Sequence, residues 1–170
     1  MKNVYLIGMM GSGKSTTGRE LARLMGISFV DLDDLIVDRV GRSINQIFRT
    51  EGEPYFRKTE TELLRDVSVR TDQVVATGGG IVLDSSNSDR LKKTGFVIYL
   101  RTSLEVLWER VKAKKDRPLL ATKNPQKALA DILRERSLFY KAIADKTFLT
   151  DQKTPEAVAL EIFNACFAKP

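Results

Sequence analysis

The chain has no histidine and one cysteine among its 170 residues. Without histidine there is no phosphohistidine intermediate and no imidazole base, so a proton acceptor has to be sought among carboxylates. The single cysteine, Cys166, cannot close an internal disulfide, which fits a reducing compartment and gives a cytoplasmic expectation. It also cannot supply a four-cysteine zinc site, and on the apolar face of a terminal helical pattern it reads as a small core residue. No run of about 18 apolar residues is present, so no membrane span and no membrane partner are expected. Residues 1–10 read as a strand entering a glycine-rich loop rather than as a signal peptide. Repeats, low-complexity tracts and Pro/Gly/Ser linkers are absent as well, and the expectation is one domain over residues 1–170. The formal charge of +6 is spread along the chain without aromatic interleaving or a basic tail. That distribution suits small anionic substrates, and no nucleic-acid partner is expected.

What the chain does have begins at Gly8-Met9-Met10-Gly11-Ser12-Gly13-Lys14-Ser15-Thr16, directly after the apolar run Val4–Ile7. This matches G-x-x-x-x-G-K-[ST], a phosphate-binding loop, with a strand pattern before it and a helical pattern after it. A loop that turns its N–H groups onto a polyphosphate needs glycine or small residues, and the helix it opens offers free N–H donors and partial positive charge. Lys14 is placed for the β- and γ-phosphates, and the Ser15 hydroxyl for Mg²⁺. The motif implies ATP and Mg²⁺ as cofactors, with Gly11, Ser12, Gly13, Lys14, Ser15 and Thr16 around the phosphates.

Strand and helix patterns alternate along the rest. Strands are expected at Val4–Ile7, 27–32, 72–76, Phe96–Leu100 and 147–149. Helices are expected at 15–25, 34–40, 43–50, 54–69, 86–93, 102–112, 125–144 and from Thr154-Pro155 onward. Capping boxes are read at Ser43-x-x-Gln46 and Thr102-x-x-Glu105, and Val158, Ile162 and Ala165 form the expected stripe of the last helix. Parallel strands need crossovers, so this is a three-layer α/β/α fold whose ligands gather at the carboxyl ends of the strands.

That rim would hold a second group of residues. If the strand extends far enough, Asp31 and Asp33 face the same side and Asp34 turns away. One carboxylate would help hold Mg²⁺ and the other would deprotonate an acceptor hydroxyl, although helix capping also calls for an aspartate here. Gly78-Gly79-Gly80 after a strand admits close approach of a ligand. Composition does not choose among the arginines. The phosphate loop alone leaves open other small-molecule kinases, such as gluconate or nucleoside-monophosphate kinases, and a catalytically silent nucleotide-binding module. A guanine-reading Asn-Lys-x-Asp stretch is absent.

Taken together and in order, the phosphate loop, Asp31-x-Asp33, Gly41-Arg42-Ser43-Ile44 with Ile47-Phe48, Gly52-Glu53-x-x-Phe56-Arg57 with Glu60, Gly78–Gly80, Arg117-Pro118-Leu119-Leu120 and Arg136-x-x-x-Tyr140 resemble shikimate kinase. The resemblance implies transfer of the γ-phosphoryl of ATP to the 3-hydroxyl of shikimate, in the route to aromatic amino acids, by a P-loop kinase with strand order 2-3-1-4-5. It assigns Asp33 to the shikimate hydroxyls as base, Asp31 to the magnesium shell beside Ser15, and Arg57 and Arg136 to the shikimate carboxylate. Gly78, Gly79, Gly80, Phe48 and Phe56 are expected beside the substrate, in a site built from helices over about 32–70. Arg117 is the expected lid arginine, on a loop over about 112–124. Arg110 and Lys153 are expected on the adenine side, where family members more often carry an arginine near Lys153. A monomer is expected.

Overall fold

The computed structural model describes residues 2–114 and 116–168. Met1, Lys115 within the expected lid, and Lys169 and Pro170 lie outside the described residues. Five parallel strands, β1 (Asn3–Ile7), β2 (Ser28–Asp31), β3 (Gln73–Ala76), β4 (Gly95–Arg101) and β5 (Lys146–Leu149), form one sheet in the order β2-β3-β1-β4-β5. The register pairs Leu6 with Ala76 on one side and with Ile98 on the other. All five residues of β1 are buried, as a central parallel strand requires.

The period of two in β1 sorts its side chains onto the two faces of the sheet. Val4 and Leu6 join Val74, Ile98 and Leu100 against α1 (Lys14–Met25) and α8 (Pro155–Cys166). Tyr5 and Ile7 join Val75, Val97 and Tyr99 on the opposite face. That face is covered by α2 (Leu32–Val40), α3 (Ile44–Thr50), α4 (Glu53–Ser68), α5 (Ser85–Thr94), α6 (Leu104–Val111) and α7 (Pro125–Ile143). The second core is therefore thicker, and it supports the helices that carry acceptor-side residues.

Several boundaries differ from the sequence reading, each for a local reason. β2 stops at Asp31 and Leu32 already begins α2, because the Asp31 carboxylate accepts from the Asp33 N–H and caps the helix. Asp31 and Asp33 are thus not two same-face strand residues. The aspartate that caps the helix is Asp31, two residues before Asp33. The Thr102/Glu105 box is replaced by a Ser103 cap, whose hydroxyl accepts from the Val106 N–H, while Thr102 Oγ1 meets Thr150 Oγ1 at 2.6 Å. The Ser43/Gln46 box forms as expected. In α8 the buried stripe is Val158, Ala159 and Ile162, and Ala165 is exposed. Among the described residues between Lys112 and Asn124, a 3₁₀ turn at Pro118–Leu120 is formed, with Leu120 buried.

Candidate active site

At the carboxyl ends of β1, β2 and β3 lies a cavity of about 480 Å³. The phosphate loop forms its floor. Gly13 precedes α1 at φ 90°, a backbone that disfavours any side chain, and this turn aims the helix N-terminus into the cavity. Lys14 Nζ donates to the carbonyls of Gly8 and Met9 at 2.8 and 2.9 Å. Burial lowers its ammonium to a pKa of about 8, against the opposing pull of Asp33. Ser15 Oγ donates to Asp31 Oδ2 at 2.5 Å, and the other oxygen of Asp31 caps α2. A hydroxyl and a carboxylate side by side are hard oxygen donors, the set that Mg²⁺ takes. No group of three acidic, histidine or cysteine side chains placed to hold a metal ion lies among the described residues. The pair therefore fits an ion that keeps waters and phosphate oxygens as its remaining ligands.

Asp33 stands in the first turn of α2, half-buried, with Oδ1 withdrawn from solvent and without a hydrogen-bond partner. Burial, reinforced by Asp31, raises its carboxyl, while Lys14, Arg117 and Arg57 pull the other way. Asp34 turns away to an exposed pair with Arg19.

The acceptor wall comes mainly from α4. Gly52 and Pro54 start this helix, and its apolar stripe of Phe56, Leu63, Leu64 and Val67 is buried. Positions 53, 57 and 60 are i, i+4 and i+3 neighbours, so they meet on one face. Arg57 donates to Glu60 Oε2 at 2.9 Å and to Glu53 Oε1 at 3.2 Å, and its guanidinium lies 5.1 Å from the centre of the Phe56 ring. Phe56 is in turn 4.9 Å from Phe48. Glu60 is fully buried, and its unpartnered Oε1 lies where a side chain on Gly78 would have to go. Burial raises the Glu60 carboxyl against the opposing charge of Arg57. A Cβ on Gly80 would collide with the Arg57 guanidinium, so the glycine run is what lets α4 approach the end of β3. From α7, Arg136 enters with 4% exposure, and Tyr140 one turn later stacks on Tyr99 with ring centres 5.0 Å apart.

The opposite wall is looser. Arg110 of α6 donates to the Gly11 carbonyl at 3.0 Å. Arg117 is 3.7 Å from Asp116, and Lys153 is exposed and bonded to Glu161 at 2.6 Å.

Every site residue expected from the sequence lines this cavity, including Thr16, Gly79 and Lys153. Five buried side-chain polar atoms among the described residues lack a hydrogen-bond partner: Ser12 Oγ, Asp33 Oδ1, Glu60 Oε1, Arg117 Nε and Arg136 Nε. All but Glu60 line the cavity, and Glu60 stands behind Gly78 in its wall. Folded proteins rarely leave such atoms unsatisfied, and their gathering at one place marks a site built for a polar, anionic ligand. Sequence reasoning assigns no site role to Glu53, Glu60 or Tyr140. The spacing Glu53-x-x-x-Arg57-x-x-Glu60 was the available signal for the first two.

Comparison with known proteins shows the family. The family model for shikimate kinase matches residues 10–167. A shikimate kinase from Actinobacillus pleuropneumoniae is 42% identical over 161 residues, covering 95% of this chain and 93% of the relative. A shikimate kinase from Acinetobacter baumannii, solved in complex with shikimate, superposes with a TM-score of 0.95 at 40% identity, covering 97% of this chain and 92% of that one. A gluconokinase from Sinorhizobium meliloti reaches a TM-score of 0.63 at 20% identity, over 96% of this chain and 92% of that one, a likeness of fold alone. The chain belongs to the shikimate kinase family.

Proposed function

We propose that Lys14, Asp33, Arg57, Arg117 and Arg136 carry the reaction of this family, the transfer of the γ-phosphoryl of ATP to the 3-hydroxyl of shikimate. The observation that supports these roles most is the set of unpartnered, buried polar atoms around one cavity, with a carboxylate between a phosphate loop and two arginines. Arg57 and Arg136 bind the shikimate carboxylate, for which the planar guanidinium is the matching shape. Phe48 and Phe56 flank the ring, and the amides of Gly79 and Gly80 lie against the substrate.

Asp33 orients the 3-hydroxyl and takes its proton as the oxygen attacks the γ-phosphorus. The bond from that phosphorus to the β,γ-bridging oxygen breaks, and ADP leaves with the electron pair. A raised carboxyl is the stronger base, provided that it is ionised at the working pH. Lys14 and Arg117 neutralise charge that spreads over the transferring group. Magnesium, held by Ser15 with Asp31 beside it, would supply further neutralisation of the phosphate oxygens. The stretch 112–124 acts as a lid that brings Arg117 inward and excludes water, a competing acceptor. Arg110 and Lys153 face the adenine side. The chain works as a monomer in the cytoplasm, without nucleic-acid or membrane partners.

The test is ADP release from Mg·ATP with shikimate, beside gluconate, AMP and no acceptor, with Lys14→Ala as the blank. Release with shikimate alone is expected, and release only with another acceptor would overturn the assignment of the acceptor wall. In the same assay Asp33→Asn is expected to lower kcat at least about a hundredfold with the ATP KM retained. Near-normal turnover would remove Asp33 from the role of base.

A further inference from the structure

Tyr140 does not line the cavity, yet its hydroxyl donates to the carbonyl of Gly79. Its ring is fully buried and stacked on Tyr99, 29° from parallel, so the hydroxyl cannot swing away from that carbonyl. The described residues contain no cis peptide, so the Gly79–Gly80 peptide is trans, and its C=O and N–H point to opposite sides. A carbonyl turned to Tyr140, which stands outside the cavity lining, therefore turns the Gly80 N–H away from Tyr140. Gly80 lines that cavity, and no backbone carbonyl among the described residues accepts from its N–H. The next amides are spent locally, Ile81 on Gly78 and Leu83 on Gly80. Glycine peptides rotate easily, so without a tie this one would sample both orientations. Tyr140 also lies one helical turn after Arg136, on the same face of α7.

We infer that Tyr140 is a positioning residue: it fixes the orientation of the Gly79–Gly80 peptide so that the Gly80 N–H donates to the acceptor substrate, and it sets the distance between that donor and Arg136. The inference deepens the shikimate reading above and rests on it. Two substrate contacts on different elements, a strand-end loop and α7, are thereby held in one register by a single hydroxyl. Accepting a hydrogen bond at the Gly79 carbonyl also polarises the adjoining N–H, making Gly80 a better donor.

Tyr140→Phe keeps the ring stack and removes the hydroxyl, with its tie to Gly79 and its contact with Arg136. It is expected to raise the shikimate KM about tenfold while the ATP KM stays within about twofold, the scale of one well-placed hydrogen bond. With ¹⁵N-glycine labelling, the Gly80 amide resonance should move in this variant, and its shift on adding shikimate should shrink. In the wild type, the Tyr140 hydroxyl proton, assigned by its loss in Tyr140→Phe and thereby told from that of the buried Tyr5, should be protected from exchange. An unchanged shikimate KM with an unmoved Gly80 resonance would overturn the role. Equal rises in both KM values with a lowered Tm would also overturn it, since they mean a purely structural part. A wild type that turns over a different acceptor but ignores shikimate would overturn the substrate reading and this role with it.

Discussion

The two walls of the cavity are built differently. On the acceptor side, Arg57 is held by two carboxylates and an aromatic face, Arg136 is buried, and the glycine loop is tied from behind. On the lid side, Arg117 has a loose contact with an exposed aspartate, and Lys153 makes an exposed pair on α8. The physics of charge accounts for the contrast. Arg57 and Arg117 are similarly exposed, at 24 and 27% of the side chain, so their partners make the difference: two carboxylates hold Arg57 in place, whereas Arg117, with no carboxylate among the described residues at hydrogen-bond distance, can move at less cost. The stiff wall can therefore discriminate between acceptors. The soft wall can follow phosphate charge as it redistributes.

The contrast can be tested by damaging each wall in turn. The largest expected effect comes from the soft wall: Arg117→Ala should cost kcat on the order of 10³-fold, with shikimate binding nearly unchanged. Equilibrium titration with shikimate checks the second part, and a matching loss of affinity would mean that Arg117 belongs to the stiff wall instead. On that stiff wall, Arg57→Ala should raise the shikimate KM roughly 10- to 100-fold, because a charge-assisted contact made before and during transfer is lost. An unchanged KM would remove Arg57 from the carboxylate grip.

A smaller effect is expected from Glu60→Gln, read in stability rather than rate. The Glu60 carboxyl is raised by folding, so the native state binds its proton more tightly than the unfolded chain does. Its contribution is fully present below the ordinary carboxylate value of 4.5 and is lost as pH rises through the folded value. Glu60→Gln should flatten that part of the pH–stability curve, measured by chemical denaturation. A curve parallel to the wild type would show that the desolvated charge is fully offset by Arg57. Least affected should be Lys153→Ala, with an ATP KM within about threefold of wild type, as befits an exposed pair.

Much of this site can be read in the sequence, because phosphate binding by a loop restricts residue identity so tightly. Gly13, Lys14 and Ser15 are fixed by backbone direction and charge, and the strand before them by its apolar run. The carboxylates are harder to place. Asp31 and Asp33 do converge on the cavity, but through a cap and a first helical turn rather than through strand alternation, and a two-residue spacing is compatible with either. Ser103 displaced Thr102 as a cap for a similar reason: adjacent hydroxyl residues offer the same chemistry, and the partner Thr150 is 48 positions away. Glu60 and Tyr140 illustrate what local patterns leave out. One lies under a glycine at the end of β3 and the other reaches a carbonyl 61 positions away, so their roles exist only once the sheet has formed.

The clasp on Lys14 also has an entropic consequence. Its flexible four-carbon stem would ordinarily lose rotamer freedom on gripping a phosphate, a penalty of about 1.5–2 kcal/mol for a lysine. Here the ammonium is already clasped by the Gly8 and Met9 carbonyls, so that entropy is surrendered when the chain folds and not again when nucleotide arrives. The folded domain is left slightly less stable in exchange for a nucleotide site that is ordered in advance.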